Sequence, residues 1–184
     1  PAPCADDDDW CARPSVWSAR MHPHGMARPP SPASLAPGVA LFHDCPLADI
    51  TVRQRPNRTG AQAPYGLVLD ALRFEGSYLS VVIDLPRDAA RLDRDRVVSV
   101  DLKGGLDGPR TFLARLNLQQ GPNVVRITRD IVFVDGACRL EFDLAYADLA
   151  DAPIDSAWID LILEAPRLSA VTLTDVVVSR RHRA

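Results

Sequence analysis

The chain has 184 residues, of which 47% are hydrophobic, and its 21 basic and 24 acidic side chains give a formal net charge of −3. A chain of this length and composition can bury a core that needs no metal or disulfide to hold it together. Its arginines are scattered and form no basic stripe, so we expect no nucleic-acid partner. No apolar run is long enough to span a bilayer, which predicts no membrane insertion.

Residues 1–38 differ in character from the rest of the chain. Asp6 to Asp9 form an acidic run, and six prolines between Pro14 and Pro37 interrupt any regular helix or sheet. We therefore predict an acidic, Pro-rich N-terminal arm over residues 1–38, followed by a β-domain over residues 39–184. If the arm is ordered, Trp10 and Trp17 are its expected anchors, because an indole buries much surface at small entropic cost.

The four cysteines lie far apart in a chain that needs no disulfide framework, so we expect reduced thiols and a cytoplasmic location. They are Cys4, Cys11, Cys45 and Cys138. No secretory or lipidation signal is visible, although a chain that begins with proline leaves a longer precursor open.

Metal and cofactor sites are not expected in the arm. The spacing of Cys4 and Cys11 with His22 and His24 matches no usual zinc pair. The acidic run lacks the glycine-punctuated loop of a dedicated calcium site.

From residue 39 onwards, apolar and polar residues alternate in short runs, which is typical of half-buried strands. In residues 111–118, for example, Phe112, Ala114 and Leu116 share one face, whereas Arg115 and Asn117 share the other. About ten strands follow from this pattern. They cover residues 39–44, 50–55, 65–74, 77–85, 96–102, 111–118, 123–133, 139–146, 156–165 and 171–180.

Short links between these runs, such as Gly121-Pro122, favour antiparallel pairing, because parallel strands need long crossovers. The sequence predicts an all-β, antiparallel β-sandwich. In the run 139–146, the inward face is expected to carry Leu140, Phe142, Leu144 and Tyr146.

Catalytic motifs are absent from the sequence, and we expect no enzyme activity. His43 and Cys45 share one strand face while Asp44 points away, so these neighbours cannot form a triad. A buried structural role is favoured for this cysteine.

The outer face of strand 156–165 carries the best candidate ligand-binding residues, which are Trp158, Asp160 and Glu164, and Tyr78 lies on the outer face of another strand. Aromatic rings can stack on sugars while carboxylates take the hydroxyl groups. A glycosidase would also pair two carboxylates, but it needs a cleft that the sequence does not define.

Several motifs are similar to those of an uncharacterised bacterial family, a domain of unknown function found mainly in α-proteobacteria. The similarity implies a galactose-binding-like, jelly-roll sandwich over nearly the whole chain, and it implies no catalytic residues. Members often carry a further N-terminal segment. The motifs are Asp9-Trp10, Arg13-Pro14, Trp17, and residues 41–46 (LFHDCP), 73–80 (RFEGSYLS), 82–86 (VIDLP), 114–117 (ARLN), 121–123 (GPN), 141–146 (EFDLAY) and 179–181 (SRR).

A looser likeness joins residues 171–179 to the last strand of jelly-roll carbohydrate-binding modules, where an Asp helps to hold a structural calcium. It implies a calcium site made by Asp175 and Asp44. The alternative is that Asp175 marks a β-bulge where the alternation slips, and we favour this alternative. We therefore expect no cofactor.

Two functional hypotheses remain. The first is a non-catalytic binding module for carbohydrate. The second is an accessory or structural subunit that uses its sandwich and N-terminal arm to bind proteins within a larger assembly. Fold alone does not decide between them.

Overall fold

Alternating runs of the sequence form strands in the computed structural model, which describes residues 4–46, 49–89, 91–108 and 110–183. All ten predicted strands are confirmed, and three more precede them. Helix is confined, in this described part, to α1 (Ser15–Ser18) and a 3₁₀ turn at Leu144–Tyr146. The strands are β1 (Asp8–Ala12), β2 (Gly25–Ala27), β3 (Ala33–Ala36), β4 (Val39–His43), β5 (Asp49–Pro56), β6 (Tyr65–Arg73), β7 (Tyr78–Leu85), β8 (Arg96–Asp107), β9 (Phe112–Gln120), β10 (Asn123–Asp130), β11 (Ala137–Asp143), β12 (Ser156–Glu164) and β13 (Ser169–His182).

The strands form two antiparallel sheets, which confirms the predicted sandwich. The six-stranded sheet has the order β10-β9-β12-β7-β4-β3. The seven-stranded sheet has the order β11-β8-β13-β6-β5-β2, and β1 also pairs with β13. The long β13 is therefore bordered on one side by β6 near its start and by β1 near its end.

Inward-facing side chains of both sheets make one continuous core. Leu116 and Ile159 from the six-stranded sheet, and Val100 and Phe142 from the seven-stranded sheet, are fully buried. Each such side chain contributes about 1.5–3 kcal/mol when it leaves water, so the two-residue alternation itself drives the sheets together.

The N-terminal segment was predicted to lack regular structure, and this is wrong. Strands β1, β2 and β3 lie within residues 8–36 and belong to the two sheets, and helix α1 lies between β1 and β2. They are only three to five residues long and fit between the prolines, with Pro14 directly before α1 and Pro37 directly after β3. Proline limits the length of an element without forbidding a short one at its ends.

Both tryptophans of this segment contact the sandwich. Trp17 is fully buried, and its Nε1 donates to the carbonyl oxygen of Leu173 at 2.8 Å. Trp10 is partly buried and packs against the core.

Cys4 and Cys11 form a disulfide, so the expectation of four reduced thiols is wrong. The chain reverses in a turn between them, where Asp8 N donates to Ala5 O at 3.1 Å, and their Cα atoms are 5.8 Å apart. Cys45 and Cys138 are free. The prediction missed this pair because it considered the spacing of all four cysteines and overlooked that Cys4 and Cys11 are only seven residues apart.

Tyr146 is 81% exposed and does not point inward as predicted. The strand ends at Asp143, whose Oδ1 accepts a hydrogen bond from Ala145 N at 3.0 Å and caps the following 3₁₀ turn. This turn changes the period from two to three, which moves Tyr146 to the surface. Among the described helices none has the length and apolar character needed to cross a membrane.

Candidate functional site

A cleft of about 700 Å³ opens on the outer face of the six-stranded sheet. Its floor is formed by β7 and β12, which are neighbours in the middle of the sheet, and its sides by β4 and β9. Because side chains alternate along each strand, the outward residues of all four strands converge there.

The strand register arranges these residues in rows. Across β12 and β7, Glu164 lies opposite Tyr78, and Trp158 lies opposite Asp84. Asp160 has Val82 on one side and Arg115 of β9 on the other. All four residues that the sequence singled out for ligand binding therefore line the same cleft.

Three aromatic side chains border the cleft. Tyr78 is 36% exposed, and Trp158 and Phe42 are half-buried. Phe42 reaches the cleft from β4, where it lies opposite Ser80. The aromatic rings provide an apolar wall beside the polar residues of the floor, which is the usual composition of a small-ligand site.

Asp160 is held in place by a buried amide. Nδ2 of Asn117 donates to Oδ2 of Asp160 at 2.9 Å and to the carbonyl oxygen of Trp158 at 3.4 Å. Burial raises the pKa of Asp160, and it outweighs the hydrogen bond from Asn117 and the positive charges of Arg115 and Arg126. Oδ1 of Asp160 has no hydrogen-bond partner among the described residues and is available to a ligand.

Ser80 places an unsatisfied hydroxyl group in the cleft floor. The residue is 4% exposed, and its Oγ has no hydrogen-bond partner in the described part of the chain. A buried hydroxyl without a partner costs about 1–3 kcal/mol, so it identifies a position where a ligand or a water is needed.

Residues that the sequence prediction missed include Ser80, Asp84, Arg115 and Phe42. The alternation had placed Ser80 and Asp84 on the same outer face as Tyr78, and this was the signal that could have found them. Phe42 and Arg115 lie on β4 and β9. The sequence does not show that these two strands are neighbours of β7 and β12, so it could not place either residue in the cleft.

Asp44 and Asp175 have separate partners in the structure, and the implied calcium pair stays a prediction. Asp44 follows β4, and its side chain accepts hydrogen bonds from the backbone N–H groups of Ser77 at 2.8 Å and Tyr78 at 3.2 Å. Asp175 lies in the other sheet and forms an ion pair with Arg13. Across the described ranges, no group of three or more His, Cys, Asp or Glu side chains is placed to hold a metal.

Asp44 has a structural role at the rim of the cleft. Burial alone would raise the pKa of Asp44, but hydrogen bonds from Ser77 and Tyr78 lower it below the usual value. The carboxylate thereby fixes the turn from which Tyr78 extends into the cleft.

The neighbouring cysteine is also structural. Cys45 is buried, and its Sγ accepts a hydrogen bond from Glu75 N at 3.1 Å. His43 Nδ1 lies 3.3 Å from Cys45 N, which makes it the acceptor, and Nε2 can then donate to Pro29 O at 3.0 Å. Both ring nitrogens of His43 therefore form hydrogen bonds with backbone groups.

Solved structures with a similar fold come from several kinds of protein. A cyclase from Fischerella sp. TAU in complex with 4-(1H-indol-3-yl)butan-2-one has a TM-score of 0.55 and 11% identity, over 87% of this chain and 90% of that chain. The enzymatically active domain of tailspike protein 4 of bacteriophage CBA120 has a TM-score of 0.53 and 11% identity, over 76% of this chain. A carbohydrate-binding module of the β-sandwich superfamily has a TM-score of 0.51 and 7% identity, also over 76%.

At these identities the similarity concerns the fold alone. The chain spans 19% of the tailspike domain and 56% of the carbohydrate-binding-module chain. A sequence comparison with curated proteins gives no match. The model of one protein family matches residues 2–184, which is nearly the whole chain. The chain therefore belongs to the family of unknown function DUF6478.

Proposed function

We propose that the chain is a non-catalytic carbohydrate-binding module and that the cleft on the six-stranded sheet is its binding site. The observation that carries this proposal is the composition of the cleft: an indole and a phenol stand beside Asp160, whose Oδ1 is free, and Ser80, whose hydroxyl is unpartnered. Sugars present apolar ring faces and many hydroxyl groups, and they match such a mixed surface.

The fold supports the same proposal. Carbohydrate-binding modules use β-sandwiches similar to this one. Some similar sandwiches belong to cyclases, so the absence of catalysis is a separate part of the proposal and needs its own measurement.

The alternative is an accessory subunit that binds other proteins. One argument for it was that tryptophans of the N-terminal segment would be free to contact a partner, and the structure removes this argument. Trp17 is fully buried within its own domain, and Trp10 packs on the same core. The anchors expected for a partner are therefore used inside the chain.

The predicted cytoplasmic location and α-proteobacterial origin stay predictions. Disulfides persist mainly in oxidising compartments, so the Cys4–Cys11 bond removes the argument from reduced thiols for the cytoplasm.

A glycan array followed by titration calorimetry tests the proposed function. We expect Trp158→Ala to weaken binding of any positive glycan by about 2 kcal/mol, which is roughly thirtyfold in Kd. Tyr78→Ala should weaken it as well. Tyr146→Ala is the matched control, because this tyrosine is exposed and lies outside the cleft.

Chromatography of the bound glycan after long incubation should recover it unchanged. A glycan that binds equally well to Trp158→Ala and to the native chain would contradict the proposed site, and conversion of the glycan would contradict the non-catalytic role.

A further inference from the structure

The cleft carries an excess of negative charge. Asp84, Asp160 and Glu164 line it together with one basic residue, Arg115. None of these four side chains forms an ion pair with another described residue, in contrast to the half-buried pair Arg53–Asp70 of the seven-stranded sheet. Arg126 of β10 also acts on Asp160, so three carboxylates face two guanidinium groups, and the remaining negative charge repels acidic sugars and attracts cations.

Aromatic rings in the same cleft strengthen this preference. Phe42, Tyr78 and Trp158 border the carboxylates. The face of an aromatic ring attracts a cation by about 0.5–2 kcal/mol, and indole is the strongest of the three ring types. Carboxylates combined with aromatic rings form an environment that suits an ammonium group.

Ser80 supplies an independent indication of a ligand. Its hydroxyl is buried in the cleft floor and has no partner among the described residues. Ser80 pairs with Ile162, and Asp160 is two residues before Ile162 on the same strand. Ser80 and Asp160 are therefore diagonal neighbours on one face, with Cβ atoms about 7 Å apart, and an ammonium group that lies between the two side chains can donate to an oxygen of each.

We propose that the cleft selects glycans that carry a protonated amino group, such as β-1,4-linked glucosamine, and binds the ammonium group between the carboxylate of Asp160 and the hydroxyl of Ser80. The ammonium N–H groups donate to both oxygens, which satisfies the buried Ser80 and neutralises Asp160. This inference rests on the proposed function, because it names the class of sugar that the same site takes.

Three pentasaccharides with the same β-1,4 linkage test the inference, since they differ only at C2: glucosamine, N-acetylglucosamine and glucose. Calorimetry should show that the glucosamine pentasaccharide binds about tenfold more tightly than the glucose pentasaccharide, as expected for one additional charged hydrogen bond. The N-acetylglucosamine pentasaccharide should not share this advantage, because acetylation removes the charge.

Asp160→Asn separates a specific contact from general attraction. This variant keeps the shape of the side chain but removes its charge, so it should weaken binding of the glucosamine pentasaccharide about tenfold more than binding of the glucose pentasaccharide, which abolishes the preference for glucosamine. Ser80→Ala should reduce the same preference. Asp101→Asn is the matched control, because Asp101 is a half-buried carboxylate of the seven-stranded sheet, and it should leave all three affinities unchanged.

The outcomes distinguish the two proposals. Equal affinity for glucosamine and glucose overturns the amine inference and leaves sugar binding intact. A glucosamine preference that persists in Asp160→Asn overturns the assignment of the ammonium group to Asp160. Failure of all three pentasaccharides, together with a silent glycan array, overturns both proposals, provided that circular dichroism shows a folded chain.

Discussion

Arg13 and Asp175, which are 162 residues apart in the sequence, form a bidentate ion pair beneath the surface. Arg13 Nε lies 2.7 Å from Asp175 Oδ1, and Nη2 lies 3.0 Å from Oδ2. The two side chains are only 5% and 6% exposed. The pair joins the N-terminal segment to β13 at the place where its register with β8 shifts between Leu173 and Asp175.

This shift confirms the interpretation of Asp175 as a β-bulge residue. A bulge leaves backbone groups without partners in the ladder. Trp17 donates to the carbonyl oxygen of Leu173, and Asn57 Nδ2 donates to that of Thr174 at 2.7 Å. The N-terminal segment thus helps to complete the hydrogen bonds that the bulge interrupts.

Asp175→Asn should destabilise the fold strongly, because it leaves the charge of Arg13 buried against a neutral amide. Breaking a buried ion pair from one side costs about 3–5 kcal/mol. Urea unfolding measures the free energy of unfolding of each variant. Asp49→Asn, which disrupts the exposed pair with Arg28, is the control and should change it by less than about 1 kcal/mol. Similar losses in both variants would contradict the prediction.

Gly104→Ala should destabilise the fold, whereas Gly105→Ala at the next residue should not. Gly104 has a φ of +154°, and an added Cβ would overlap the carbonyl oxygen of Thr172 on β13. We expect a loss of about 2–4 kcal/mol from the strained backbone and the steric overlap. An added Cβ at Gly105 would meet no atom within 4 Å, so Gly105→Ala should change stability by at most about 1 kcal/mol. Thermal unfolding of the two variants compares them directly, and equal melting temperatures would count against this geometry.

The Cys4–Cys11 disulfide should leave two reactive thiols in the denatured, unreduced chain and four after reduction. Replacing both cysteines by serine should lower the free energy of unfolding by about 2 kcal/mol, because the bond restricts a short loop of the unfolded chain. Thiol titration and urea unfolding provide the two measurements. Cys138→Ser, at a free cysteine, is the control. Four reactive thiols before reduction would refute the bond.

Asp160→Asn should stabilise the chain without ligand. Burial raises the pKa of Asp160 above the usual value of 3.8, despite the hydrogen bond from Asn117 and the charges of Arg115 and Arg126. The folded state therefore holds this proton more tightly than the unfolded state. The stability that results is fully present below pH 3.8 and is lost as the pH rises through the folded pKa.

Urea unfolding across this range of pH checks the sign of the effect. The Asn variant should have a higher free energy of unfolding at pH 7 than the native chain and a flatter dependence on pH. A lower stability of the variant at pH 7 would show that the carboxylate supports the fold. A gain in stability that accompanies weaker binding is typical of a residue kept for function.

The sequence by itself determined the strands, because the direction of each side chain along a strand depends only on local alternation. All ten strands predicted after residue 39 are present, and Trp158, Asp160 and Glu164 share an outer face as their spacing requires. The alternation failed at Tyr146, because the hydrogen bond from Ala145 N to the side chain of Asp143 begins a 3₁₀ turn and changes the local period.

Only the tertiary structure decided which strands are neighbours. The order of the sheet brings Phe42 of β4 and Arg115 of β9 to the cleft between them, and the bulge of β13 gives Arg13 and Trp17 their partners. The short strands β1, β2 and β3 have too few residues to show a period, and their pairing with distant strands stabilises them. Contacts between residues far apart in the chain depend on the closure of long loops, and no local pattern records which loops close.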